Sequence, residues 1–196
     1  SSLALPYDEG EGEEDFEPSA PWESPETLPR LRGTLVHRLL ADFACGRKLP
    51  SIEAIRSRLG REGMDAEGAG ETARSVLAEV ERCLEDPWLS PCFALPPDLL
   101  FVEYSLESLH DPRELLSGKI DLAAYLDGRW RLIDYKTSRG KAGESAETLC
   151  RRELERYAPQ LAAYRQMWAR LRGVEEGEVE IYVYLTAFNL HRKSAD

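Results

Sequence analysis

Residues 118–137, GKIDLAAYLDGRWRLIDYKT, read as a β-hairpin that carries two acids and a lysine at its open end. Two β-rich runs, 117–126 and 129–137, flank Asp127-Gly128. That dipeptide is the strongest short hairpin signal, because both of its positions accept the positive φ a two-residue turn demands. Such a turn pairs Leu126 with Arg129, and the same register sets Asp121 opposite Asp134, with Cβ atoms roughly 5 Å apart on one face. Like charges placed directly opposite destabilise a sheet. Lys136 stands two residues from Asp134, shares its face and offsets part of the repulsion. A divalent cation would offset it better, and hard oxygen ligands converging from two strands suit Mg²⁺ or Mn²⁺. The other reading is a solvent-exposed face whose charges are simply hydrated. Ile120, Leu122, Trp130, Leu132 and Ile133 surround the acids and favour an interior hairpin.

Working outward, Leu31, Leu35, Leu39, Leu40 and Phe43 recur at helical spacing, so a helix is expected over 28–45, closed by Gly46. Residues 51–59 suit a short helix capped by Ser51. A glycine-rich segment, 60–70, leads to a third helix near 71–84, which ends at Asp86-Pro87. The period then changes. LLFVEYSL, 99–106, reads as a strand carrying one acid, Glu103. After the hairpin, a long helical pattern over 144–171 is interrupted only by Pro159, and VEIYVYLT, 179–186, alternates as a final strand. There is no GxxxxGK[ST] phosphate loop, which excludes an ATPase site from this chain.

The chain has 196 residues and a formal charge of −11, which at first argues against a polyanionic partner. The charge is unevenly placed. Residues 1–26 hold nine acids and no Lys or Arg, together with four of the 12 prolines, and read as a solvated tail. The remainder is nearly neutral at −2, and residues 129–172 carry 11 bases against five acids. The expected division is an acidic tail or linker over 1–27 and one domain over 28–196. Four cysteines without a CxxC pair (Cys45, Cys83, Cys92, Cys150) read as free thiols in a reducing compartment. No apolar run approaches the roughly 18 residues a membrane helix needs, and no signal peptide is visible, so a cytoplasmic location is expected.

Four elements in order carry a family resemblance: Gly33-Thr34-Leu35-Val36-His37, Gly118-Lys119-Ile120-Asp121, Ile133-Asp134-Tyr135-Lys136-Thr137, and Tyr157-Ala158-Pro159-Gln160-Leu161-Ala162-Ala163-Tyr164. Together they resemble the PD-(D/E)xK nuclease core. More narrowly they resemble the RecB-family exonuclease module at the C-terminus of RecB and AddA-type, UvrD-like helicases, with its GxxxH and YxxQLxxY elements. Ile120 stands where the family's name has Pro. The resemblance implies an α/β fold of the α+β type: a mixed central β-sheet of about four or five strands flanked by helices, a restriction-endonuclease-like core with an N-terminal helical segment. It implies metal-dependent hydrolysis of DNA, with Mg²⁺ or Mn²⁺ held by His37, Asp121, Asp134 and the backbone carbonyl of Tyr135. Lys136 would orient the attacking water or stabilise developing charge, and Glu103 would assist the metal shell. Tyr157, Gln160 and Tyr164, spaced three and four apart on one helix face, would approach the active site and the DNA backbone. Arg151, Arg152 and Arg156 could follow phosphates by the ordinary electrostatic attraction. The iron–sulfur branch of the family needs three cysteines after that helix. None follows Cys150, so no cluster is expected.

The implied partners are DNA, as a single strand or duplex end, and a helicase motor in the same polypeptide or complex, at the bacterial nucleoid. Two alternatives remain at this point: a stand-alone or endonucleolytic member of the superfamily, and a non-catalytic DNA-binding module.

Overall fold

The computed structural model describes residues 27–111 and 114–194. The acidic segment expected over 1–27 lies outside the described residues but for Thr27. Three helices, α1 (Thr27–Ala44), α2 (Ile52–Arg61) and α3 (Ala66–Glu85), precede a short α4 (Ser90–Phe93). Strands β1 (Leu100–Asp111), β2 (Glu114–Leu126) and β3 (Arg129–Lys136) follow, then α5 (Ala146–Arg172), a 3₁₀ turn, β4 (Val179–Leu185) and β5 (Leu190–Lys193). The sheet is mixed, in the order β1-β2-β3-β4-β5. β3 and β4 run parallel and the other neighbours antiparallel, and α5 makes the crossover that a parallel pair needs.

Local chemistry explains most boundaries. Asp127 and Gly128 both take positive φ, 53° and 78°, as the two-residue turn requires. Ser51, Asp65 and Ser145 cap α2, α3 and α5 by accepting the N–H groups of Ala54, Gly68 and Thr148. Gly46, at φ 78°, turns the chain after α1. Three expectations need correction. α3 begins at Ala66 because Asp65 caps it, so the end of the glycine-rich segment is helical. Pro159 lies exposed inside α5, which continues through it. The strand at 179–185 is not the last, since β5 pairs antiparallel to it.

The sheet is covered on both faces. α1, α2 and α3 pack over one side, against Leu122, Ala124, Ile133, Tyr135 and Tyr184. α5 packs over the other, against Ala123, Leu132, Ile181, Val183 and Leu185. Trp168 of α5 anchors that layer, its ring 5.5 Å from Phe101, 5.4 Å from Tyr104 and 5.1 Å from Trp130. Aromatic pairs of this kind contribute about 0.5–1.5 kcal/mol each beyond their buried area.

One irregularity positions everything that follows. Side chains alternate faces along a strand, and β2 obeys this from Ala124 to Leu122. Ile120 should then join Leu122 under α1–α3, yet it packs under α5. β1 slips in the same way, with Val102 on the α1–α3 side and Tyr104 on the α5 side. The residues at the slip are Asp121 and Glu103. They fall between the paired positions Val102↔Leu122 and Tyr104↔Ile120, and Glu103 has φ 47°.

Candidate active site

The β2–β3 register predicted from Asp127-Gly128 holds from Leu126↔Arg129 to Leu122↔Ile133. The expectation that Asp121 and Asp134 face each other as the next cross-strand pair is corrected. At the slip, Asp121 leaves the ladder, and its Oδ2 accepts the backbone N–H of Tyr135 at 2.8 Å. A carboxylate thus occupies the place of a strand carbonyl, and the two strands part there. The N–H and C=O of one strand residue point to the same side, so the Tyr135 carbonyl is directed toward the same opening.

Side chains from both helical layers meet at this opening. From α1, His37 Nδ1 lies 3.1 Å from Asp121 Oδ1, and its ring meets Tyr135 edge to face at 5.8 Å. From β3, Lys136 Nζ lies 2.8 Å from Asp134 Oδ2. From α5, Tyr157 receives the same ammonium on its ring face at 3.6 Å. Lys136 is therefore held between a carboxylate and an aromatic face.

Burial pushes the Asp134 carboxyl above its usual range and Asp121 adds to this, while Lys136 and His37 offset only part of it. Burial alone would lower His37. Its hydrogen bond to Asp121, with the charges of Asp121 and Asp134, outweighs burial and raises it. Asp134 Oδ2 is buried and accepts no hydrogen bond of proper geometry, its contact with Lys136 being ionic.

Hard carboxylate oxygens, one imidazole and a backbone carbonyl are a donor set that fits a divalent cation such as Mg²⁺ or Mn²⁺. His37, Asp121, Asp134 and the Tyr135 carbonyl could hold it. Among the described residues, no three His, Cys, Asp or Glu side chains converge as a ready-made metal cluster. His37 and Asp121 spend their facing atoms on each other.

The remaining candidates separate. Glu103 lies opposite Asp121 at the slip and pairs with Lys119 at 2.8 Å. With His37 it lines an open cleft of about 560 Å³ along α1. Tyr164 is buried against the hairpin, where its hydroxyl accepts the Lys119 N–H at 3.2 Å and a hydrogen bond from Gln160 Nε2 at 2.6 Å. Gly118 makes this possible, since a Cβ there would stand 2.2 Å from the Tyr164 ring. Arg156 lies 5.3 Å from the Tyr157 ring, beside the site. Arg151 and Arg152 are not brought to the cluster. Arg152 is tied to Glu144 at 2.6 Å. Arg151 lines a groove with Arg165 and Arg192, about 120° around the helix from Tyr157 at roughly 100° per residue.

Sequence reasoning missed one feature. Glu79 is fully buried and bound by Thr186, Arg32 and Arg139. Its signal was a carboxylate on the apolar stripe of α3, between Val76, Val80 and Cys83. The role of Gly33 was also sharper than its spacing showed. A Cβ there would meet Thr137 Oγ1 at 2.7 Å, so glycine lets α1 close onto the end of β3.

Comparison with known proteins agrees with this geometry. The family model described as the PD-(D/E)XK nuclease superfamily matches residues 13–194. No curated protein matches the chain. Among solved structures, the chain is similar to protein VC1899 from Vibrio cholerae at 10% identity and a TM-score of 0.33, over 83% of this chain and 48% of that one. The chain thus spans about half of that protein's length. With its model matched over nearly the whole chain, the chain belongs to the PD-(D/E)XK nuclease superfamily.

Proposed function

We propose that this chain hydrolyses phosphodiester bonds of DNA in a reaction that requires Mg²⁺ or Mn²⁺, acting as an exonuclease. The observation that carries the reading is the placement of two pairs, Asp121 with His37 and Asp134 with Lys136, on either side of the Tyr135 N–H that Asp121 accepts, where β2 and β3 part. His37, Asp121, Asp134 and the Tyr135 carbonyl would hold a divalent cation there, which would supply a water of lowered pKa and neutralise charge on the phosphate. Lys136 orients that water and stabilises the charge developing on the phosphoryl oxygens, and Tyr157 keeps its ammonium aimed. Asp121 holds His37 in place and, through the Tyr135 N–H, fixes the end of β3 that carries Asp134 and Lys136. Glu103 assists at the outer rim of the cleft.

The GxxxH and YxxQLxxY elements support a narrower placement, as the nuclease module of a bacterial recombination-repair helicase. In that setting a motor in the same polypeptide or complex delivers the strand, in the cytoplasm at the nucleoid. No helix among the described residues is long and apolar enough to cross a membrane.

The test uses purified protein with linear DNA and with covalently closed circles. Cation-dependent release of short products from linear DNA, with circles spared, is expected. Cleavage of closed circles would make it an endonuclease. No hydrolysis of either substrate with Mg²⁺ or Mn²⁺ would contradict the reading.

A further inference from the structure

The cleft containing His37 and Glu103 does not end at Gly33. Gly33 and Thr34 also line a second open cleft of about 870 Å³, which continues along α1 toward its N-terminus. Its walls are α1, α3 and the segment following β3, with Arg30, Arg32, Ser75, Ser138 and Arg139 among its lining residues. None of these belongs to the site described above. Both walls nonetheless run directly out of it. Arg30 stands seven residues before His37 on α1, and Arg139 three residues beyond Lys136 on the chain exiting β3. At about 1.5 Å per helical residue and 3.3 Å per extended residue, each offset is about 10 Å.

The cleft's charge is organised by a buried carboxylate. Glu79 is fully buried, and its Oε1 accepts the Thr186 hydroxyl at 2.6 Å. Its Oε2 is shared by two guanidiniums. Arg32 pairs with it directly, and Arg139 Nη2 lies 3.5 Å from it and 3.3 Å from Ser75 Oγ. One carboxylate between two arginines leaves a net positive charge, to which exposed Arg30 adds. Glu71 is the one acidic lining residue. Burial, together with repulsion from Arg139 and Arg82, holds the Arg32 guanidinium down at about 10. That repulsion is relieved by an anion. Each guanidinium has five donors in a planar fork suited to phosphate, and Glu79 and Ser75 engage only part of them.

We propose that Arg30, Arg32 and Arg139 bind an internal backbone phosphate of the DNA strand whose scissile phosphodiester lies at Asp134 and Lys136. Glu79 is a positioning residue that aims Arg32 and Arg139. The inference rests on the nuclease reading and extends it to a track along α1. At the roughly 3.4 Å rise per nucleotide of B-form DNA, this phosphate lies within about three nucleotides of the cleaved bond.

The test reads binding rather than cleavage, by fluorescence anisotropy with labelled oligonucleotides in a Lys136→Ala background that keeps the strand intact. Arg139 and Arg30 are exposed, so Arg139→Gln and Arg30→Gln should fold normally, which thermal melts check. Each is expected to weaken binding about fivefold and to reduce the slope of log affinity against log salt by about one. In the parent, a neutral methylphosphonate at one internal position near the cleavage point should cost a similar factor, and Arg139→Gln should erase that penalty. Unchanged affinity and slope in both variants would overturn the proposal. So would a penalty that persists in Arg139→Gln, or sensitivity to a terminal phosphate alone. Hydrolysis by the wild type combined with unaltered binding by both variants would remove this subsite and leave the nuclease reading intact. Binding through Arg139 without any hydrolysis would do the reverse.

Discussion

Asp121 Oδ2 accepts the backbone N–H of Tyr135 at 2.8 Å, so that a side chain takes over a strand pairing at the point where β2 and β3 separate. The same carboxylate faces His37 through its other oxygen at 3.1 Å. One residue therefore joins the α1 layer to the hairpin that carries Asp134 and Lys136.

Asp121→Asn should keep an oxygen for the Tyr135 N–H while removing the charge that raises His37. In metal-free protein, the His37 imidazole followed by NMR should titrate above its ordinary 6.5 in the wild type and lower in the variant. A titration unmoved by the substitution would contradict the assignment of Asp121 as the cause.

Two groups bind protons more tightly in the folded metal-free protein than in the unfolded chain. His37 gives stability that is complete below the unfolded imidazole value and is lost as pH rises through the raised folded value. Asp134, also raised, gives stability that is complete below an unfolded carboxyl value of about 3.9 and is lost as pH rises through its folded value. At neutral pH the charged Asp134 is therefore a stability cost. Asp134→Asn should melt at the wild-type temperature or a few degrees above it, even though Lys136 keeps only Tyr157. Millimolar Mn²⁺ should raise the wild-type melting temperature and leave that of the variant unchanged. Equal shifts in both proteins would place the cation elsewhere.

The hairpin was legible in the sequence because Asp127-Gly128 admits one turn geometry, and that turn fixed the pairing from Leu126 to Leu122. Helices α1, α3 and α5 were legible from their helical spacing and α2 from its cap, whereas the four-residue α4 was not read. Their starts were read correctly where a capping residue stood out, as at Ser51, and late where Gly68 and Gly70 masked the helix that Asp65 begins. The slip at Glu103 and Asp121 was not legible. It follows from hydrogen bonding across the sheet, between a carboxylate and an N–H 14 residues away, and no local pattern encodes that. The same limit applied to Arg151 and Arg152. Their charge pointed to contact with phosphates and said nothing of direction, whereas the rotation of α5 turns Arg151 away from the Asp134 cluster and Glu144 takes Arg152.

The contact between Gly118 and Tyr164 ties α5 to the hairpin and admits no side chain at residue 118. Gly118→Ala should cost about 1–3 kcal/mol through overpacking. The cost should fall sharply in a Tyr164→Ala background, where the ring is absent. Chemical denaturation of the four proteins in that cycle measures the coupling. Additive effects would show that the two residues do not meet.

Asp134 and Lys136, set at the break between β2 and β3, are proposed to carry out cation-dependent hydrolysis. The direct measurement is the rate of labelled-DNA hydrolysis in Mg²⁺ or Mn²⁺ for wild type, Asp134→Asn and Lys136→Ala, each verified as folded by its melting curve. Hydrolysis by the wild type and a loss of at least about a hundredfold in each variant are expected. Equal rates in all three folded proteins would contradict that proposal.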